Sequence, residues 1–109
     1  MKVIVIVKDE ITRYPDSYSG TNTYENENEF VAVAETINTC VDYMKNILKS
    51  GEYDFYSNAL SVQTVYTTSS YRFLEVDTSK PNATETDITR GVIESIKKEI
   101  KDRDKWNLD

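Results

Sequence analysis

Glu25 to Gly51 reads ENENEFVAVAETINTCVDYMKNILKSG. Within it Phe30, Val33, Ala34, Ile37, Cys40, Val41, Met44, Ile47 and Leu48 recur at three- and four-residue spacing. That spacing gathers side chains into one stripe along an α-helix. The pattern predicts a helix from Asn26 to Gly51. Asn26 is placed as N-cap, with Glu29 three residues on as in a capping box. Glu27 and Glu29 favour the positive end of the helix dipole, and Lys45 and Lys49 the negative end. Gly51 can take the left-handed conformation that stops a helix.

Upstream of this stretch, Lys2 to Lys8 reads KVIVIVK. Its β-branched run is apolar on both faces, with Val3, Val5 and Val7 on one and Ile4 and Ile6 on the other. Such a strand needs cover on both sides. Asp9 to Glu25 holds Tyr14-Pro15-Asp16, Ser19-Gly20 and several Asn and Thr. It reads as a long polar loop, with a short irregular strand around Thr21 to Tyr24. Long loops tend to be functional.

Downstream, Glu52 to Asn58 is aromatic and mixed, and begins a strand or wraps as a loop. Ala59 to Tyr66 alternates, with Leu60, Val62, Thr64 and Tyr66 on one face. After Thr67-Thr68-Ser69-Ser70, Tyr71 to Val76 completes a hairpin. A loop with Pro81 leads to a last helix over roughly Glu85 to Lys105, capped by Thr84 or Thr86. Its apolar row is Ile88, Val92, Ile96 and Ile100, followed by Trp106 and Leu108. Gly91 inside it costs about 1 kcal/mol against Ala unless a neighbour packs close.

The resulting order is β-α-β-β-α, a single α+β domain over residues 1–109. Two helices cover a three-stranded, mostly antiparallel sheet, as in a ferredoxin-like arrangement without its last strand. Crossover handedness puts the third strand between the first two. Three strands with helices on one face leave the two-sided first strand unexplained. Either a homodimer covers the open face or edge, or residues 9–25 and 52–58 add strands.

Net charge is −6, and the imbalance is local. From Asp9 to Asp54 ten acids face only Arg13, Lys45 and Lys49, giving −7. Such a surface repels phosphate backbones and anionic lipid, so neither direct nucleic-acid nor membrane binding is expected. No run approaches the length of a membrane span, and the lone Cys40 suits a cytoplasmic setting.

The chain contains no histidine, which excludes Ser-His-Asp and Cys-His catalysis and imidazole metal sites. Cys40 lies on the apolar stripe and reads as a small buried hydrophobe. Asp9 or Glu10 with Glu75 and Asp77 could gather around a hard cation such as Mg²⁺, though solvated strand ends are the simpler reading. No catalytic set, cofactor motif or metal pattern stands out. Tyr14, Tyr18 and Tyr24 sit among Ser, Gly, Asn and Thr, a mixture suited to binding surfaces. They either form such a surface or fold back to fill the core.

The leading expectation is a non-enzymatic binding or inhibitor protein that engages a basic site on a larger protein. Its surface would comprise Asp9, Glu10, Tyr14, Asp16, Tyr18, Tyr24, Glu25, Glu27, Glu29, Glu35 and Asp42. One version is a nucleic-acid mimic, of the kind phages and mobile elements direct at nucleic-acid-processing enzymes, anti-CRISPR proteins among them. The alternative is a ferredoxin-like dimer that binds a small molecule, with Arg13, Arg72 or Arg90 for an anionic ligand. A metal-dependent enzyme using Asp and Glu is a third reading.

Overall fold

A computed structural model describes residues 1–16, 20–49, 52–56, 58–80 and 85–101. Six strands and two helices follow in the order β1 (Lys2–Asp16), β2 (Gly20–Ala34), α1 (Ile37–Leu48), β3 (Glu52–Phe55), β4 (Leu60–Gln63), β5 (Thr67–Asp77), β6 (Glu85–Asp87) and α2 (Thr89–Lys101). They build one antiparallel sheet in the order β2-β1-β5-β4-β3, with β6 paired to β5 beyond the end of β4. The three-stranded, ferredoxin-like expectation is therefore wrong: the sheet has six strands, every pairing antiparallel.

The largest correction falls on Asn26 to Ala34. This segment is strand, and the helix begins at Ile37. Phe30, Val33 and Ala34 fit the helical stripe, but Val31 to Ala34 also fits an extended run. Pairing with β1 from Ile4↔Ala34 to Asp16↔Gly20 decides the matter, because tertiary pairing overrides a local periodicity that suits both states. The cap moves accordingly. Thr36 is the N-cap, and its Oγ1 accepts from the Thr39 backbone N–H at 3.1 Å. Gly51, expected as the stop, lies outside the described residues.

Asp9 to Asp16 and Gly20 to Glu25 are likewise strand, where a loop is expected. β1 runs on to Asp16 and β2 begins at Gly20; residues 17–19 lie outside the described set. Two register shifts interrupt the pairing, between Ile6 and Val7 and between Lys8 and Glu10. At the second, Asn28 takes φ 51°. Asn is among the few residues that adopt this left-handed conformation readily. The Asp9 carboxylate accepts from the Asn28 backbone N–H at 2.8 Å, and Arg72 donates to the Asn28 side-chain oxygen. The bulge is thereby tied to two neighbouring strands.

The aromatic segment after α1 does form a strand, β3, one of the two states expected for it, but at the far end of the sheet it covers neither face of β1. The β4–β5 turn comes earlier than expected. Thr67 to Ser70 belong to β5, and the chain reverses over Thr64 to Tyr66 with the Thr64 N–H donating to the Thr67 carbonyl at 2.8 Å. The last helix starts later than expected, because Glu85 to Asp87 is strand. Asp87 accepts from the Thr89 N–H at 2.9 Å. Thr84, Arg103, Lys105, Trp106 and Leu108 lie outside the described residues.

One face of the sheet carries the core. Ile4 and Ile6 of β1, Ala34 of β2, Tyr71 and Phe73 of β5, and Leu60 and Val62 of β4 meet Cys40, Val41, Met44 and Leu48 of α1 and Val92, Ile93 and Ile96 of α2. Between the end of β4 and the start of β6, the Phe73 backbone has no strand partner on that side. The start of α2 takes its place: the Phe73 N–H donates to the buried Thr89 Oγ1 at 2.9 Å, and its carbonyl accepts from the Ile88 N–H at 2.9 Å. One sheet plus one helical layer gives a flat molecule of 52 × 41 × 20 Å.

Candidate functional site

The β1–β2 hairpin extends past β5. The β1–β5 pairing stops at Thr12↔Thr67, while β1–β2 pairing continues to Asp16↔Gly20. A cluster of tyrosines sits where the hairpin leaves the sheet. Tyr14 of β1 lies 6.0 Å from Tyr24 of β2, ring centre to ring centre, at an edge-on angle of 65°. On its other side Tyr66, from the β4–β5 turn, lies 5.5 Å away. Both spacings are those of favourable aromatic pairs. The backbone holds the group in place: the Arg13 N–H donates to the Tyr66 carbonyl at 2.8 Å, and the Thr12 and Thr67 hydroxyls are 3.2 Å apart.

These rings do not fill the core. Tyr14, Tyr24 and Tyr66 remain 47%, 59% and 48% exposed, far more than a structural role requires. Tyr66 is not among the expected site residues, since strand alternation places it with Leu60 and Val62. Only a contact across more than fifty residues of chain brings it beside Tyr14, and no local signal reveals it. Tyr18 lies outside the described residues. Asp16 closes the β1–β2 pairing opposite Gly20.

The expected acids separate into two groups. Asp9 and Glu10 are engaged internally. Asp9 lies 3.9 Å from Arg72 and caps the Asn28 bulge. Glu10 meets Lys8 at 2.7 Å, and this contact, ahead of every other cause, holds the Lys8 ammonium above its ordinary range. Glu25, Glu27 and Glu29 are exposed on β2, at one edge of the sheet. Glu35 is exposed between β2 and α1, and Asp42 projects from α1 beside Lys45 at 3.8 Å. The hairpin thus carries Tyr14, Tyr24 and Glu25 to Glu29 on one element beside Tyr66, with Glu25 on the opposite face of the strand from the rings, and leaves Glu35 and Asp42 on a separate element.

The proposed carboxylate cluster does not assemble. Asp9 pairs with Ser70, seven residues along β5 from Asp77. Glu75 faces Lys2 at 3.7 Å. The Asp77 carboxyl is held below its usual range by the Ser79 hydroxyl and N–H, 2.6 and 3.1 Å away. Among the described residues no group of three or more His, Cys, Asp or Glu side chains could hold a metal ion. Cys40 is fully buried, and burial pushes its thiol up to about 11, the opposite of a nucleophile's requirement.

A separate cleft of about 220 Å³ lies between β3 and α2, lined by Phe55, Tyr56, Arg90, Ile93, Glu94 and Lys97. Lys97 lies over the Phe55 ring at 5.5 Å and beside Glu94 at 3.8 Å. Of the arginines considered for an anionic ligand, Arg90 lines this cleft, Arg72 is held by Asp9 and Asn28, and Arg13 is exposed on the hairpin. Among the described residues no helix is long and apolar enough to cross a membrane. No family model, curated protein or solved structure matches this chain.

Proposed function

We propose that the protein is a non-enzymatic binding protein whose projecting β1–β2 hairpin engages a basic surface on a larger protein. The supporting observation is the exposed Tyr14–Tyr24–Tyr66 group beside the acidic edge strand carrying Glu25, Glu27 and Glu29. Three rings already packed on one another offer a large contact area with little rotamer entropy left to lose. The adjacent acids select a cationic partner and steer its approach. A nucleic-acid-processing enzyme is the partner class that fits best, since its substrate groove is basic. By occupying that groove the hairpin would exclude the phosphate backbone and act as an inhibitor, in the manner of nucleic-acid mimics from phages and mobile elements.

Affinity capture from lysate, at low and high salt, tests this reading. The wild-type chain should retain a basic protein at low salt and release it as screening shortens to about 3 Å near 1 M. Replacing Glu25, Glu27 and Glu29 with Lys should abolish capture, and Tyr14→Ser with Tyr24→Ser should weaken it at every salt concentration. A partner held equally well by the reversed variant and at high salt would rule the reading out.

A further inference from the structure

The second face of the sheet is apolar where the helices do not cover it. Register places Val3, Val5 and Val7 of β1, Leu74 and Val76 of β5, and Phe30 and Val33 of β2 on that face. None belongs to the core cluster under the helices; Val7 is nonetheless buried among its neighbours, and Val3, Val5, Leu74 and Val76 are half-buried. Phe30 and Val33 are 62% and 52% exposed. Contiguous apolar surface of this kind marks an interaction site on a folded chain. Its charged neighbours at the centre, Asp9 and Arg72, neutralise one another, and the exposed acids Glu85 and Asp87 stand at its β6 margin.

We infer that this open face is the interface of a homodimer, in which two sheets stack face to face. The size of the face supports a second copy. β1 and β5 pair from Lys2↔Asp77 to Thr12↔Thr67. With β2 and the four-residue β4 alongside, at about 3.4 Å per residue and about 4.8 Å per strand, the face covers roughly 600 Å². Stable interfaces begin at about 600 Å² from each partner, which this face reaches. The apolar residues form the centre and Ser70, Thr68 and Gln63 a polar surround, the arrangement of interface core and rim. Register also puts Glu25, Glu52 and Asp54 at the margin, so that added salt should strengthen the association. The locally neutral centre also does not repel its own copy, despite a net charge of −6. An apolar face present as soon as the chain folds calls for a partner made with it, and the second copy meets that need. The dimer leaves the Tyr14–Tyr24–Tyr66 group on the opposite side of the sheet, with Glu25 alone of the hairpin's acids at its margin, so the Phe30 and Val33 substitutions test it apart from the hairpin's tyrosine group.

Light scattering on the full chain tests the inference. The wild type should show twice the 12.6 kDa chain mass. The association should hold at high salt, which leaves apolar contacts intact and screens the net charge. Phe30→Lys with Val33→Lys should halve the mass with an unchanged circular dichroism spectrum, while Tyr14→Ser should leave it unchanged. Hydroxyl-radical footprinting of the wild type provides the readout should the double variant unfold: Phe30 oxidation should fall several-fold between dilute and concentrated protein. A wild type that is monomeric at about 100 μM, a folded double variant that remains dimeric, or Phe30 oxidation independent of concentration would each overturn the inference.

Discussion

Two buried side chains illustrate how single residues hold this fold. Thr89 sits at the start of α2 with no exposed surface, and its hydroxyl accepts the Phe73 backbone N–H that no strand reaches. Thr89→Val keeps the shape and orphans that donor, which should cost about 1–3 kcal/mol in urea unfolding, with Thr89→Ser much milder. Cys40 is legible as a core residue from its place on the helical stripe, and the structure buries it completely. Its thiol should react with Ellman's reagent only as fast as the chain opens. The folded chain holds the Cys40 proton more tightly than the unfolded one, which titrates near 9.0. Its contribution is therefore intact below pH 9 and declines as pH rises toward about 11. Lys8 and Tyr71, both raised, act in the same direction. Comparing alkaline melting curves of Cys40→Ala and wild type isolates the cysteine: the variant should lose less stability over that interval.

At the scale of elements, α2 and β2 show opposite degrees of legibility. α2 is readable because Val92, Ile93 and Ile96 recur at a spacing only a helix turns inward, and all three are buried. Within it, a methyl group added at Gly91 would meet nothing within 4 Å, so no close packing there justifies the glycine. Gly91→Ala should raise stability by about 0.5–1 kcal/mol in chemical denaturation. β2 is ambiguous in sequence because Phe30, Val33 and Ala34 satisfy a helical stripe as well as a strand. Its left-handed Asn28 has no sequence mark beyond the residue type. Asn28→Val forces a β-branched side chain into that conformation and removes the Arg72 contact; a loss of about 1–2 kcal/mol is expected by thermal unfolding. The bulges and the row of Glu25, Glu27 and Glu29 also guard this edge, since a second copy pairing there would set acids against acids.

The whole molecule separates two surfaces. The hairpin carries exposed aromatic rings and acids, while the uncovered sheet face carries valines, Leu74 and Phe30 with balanced charge at its centre. Salt should distinguish them, weakening attachment through the hairpin and leaving association through the face in place. At this scale the candidate site is half legible. Tyr14, Tyr24 and Glu25 to Glu29 stand close enough in sequence for composition to mark them. Tyr66, and the internal pairing of Asp9 with Arg72 and of Glu10 with Lys8, depend on strand register.

By itself the sequence determined an α+β chain with a two-sided first strand, an amphipathic last helix, a buried thiol and an acidic first half. These follow from period, β-branching and charge, which act over a few residues. Only the tertiary structure decided that Asp9–Asp16 and Gly20–Ala34 pair as long bulged strands, that six strands form one antiparallel sheet, and which acids stand exposed. Strand pairing joins residues far apart in the chain, and a segment that suits two local states takes the one its partner strand completes.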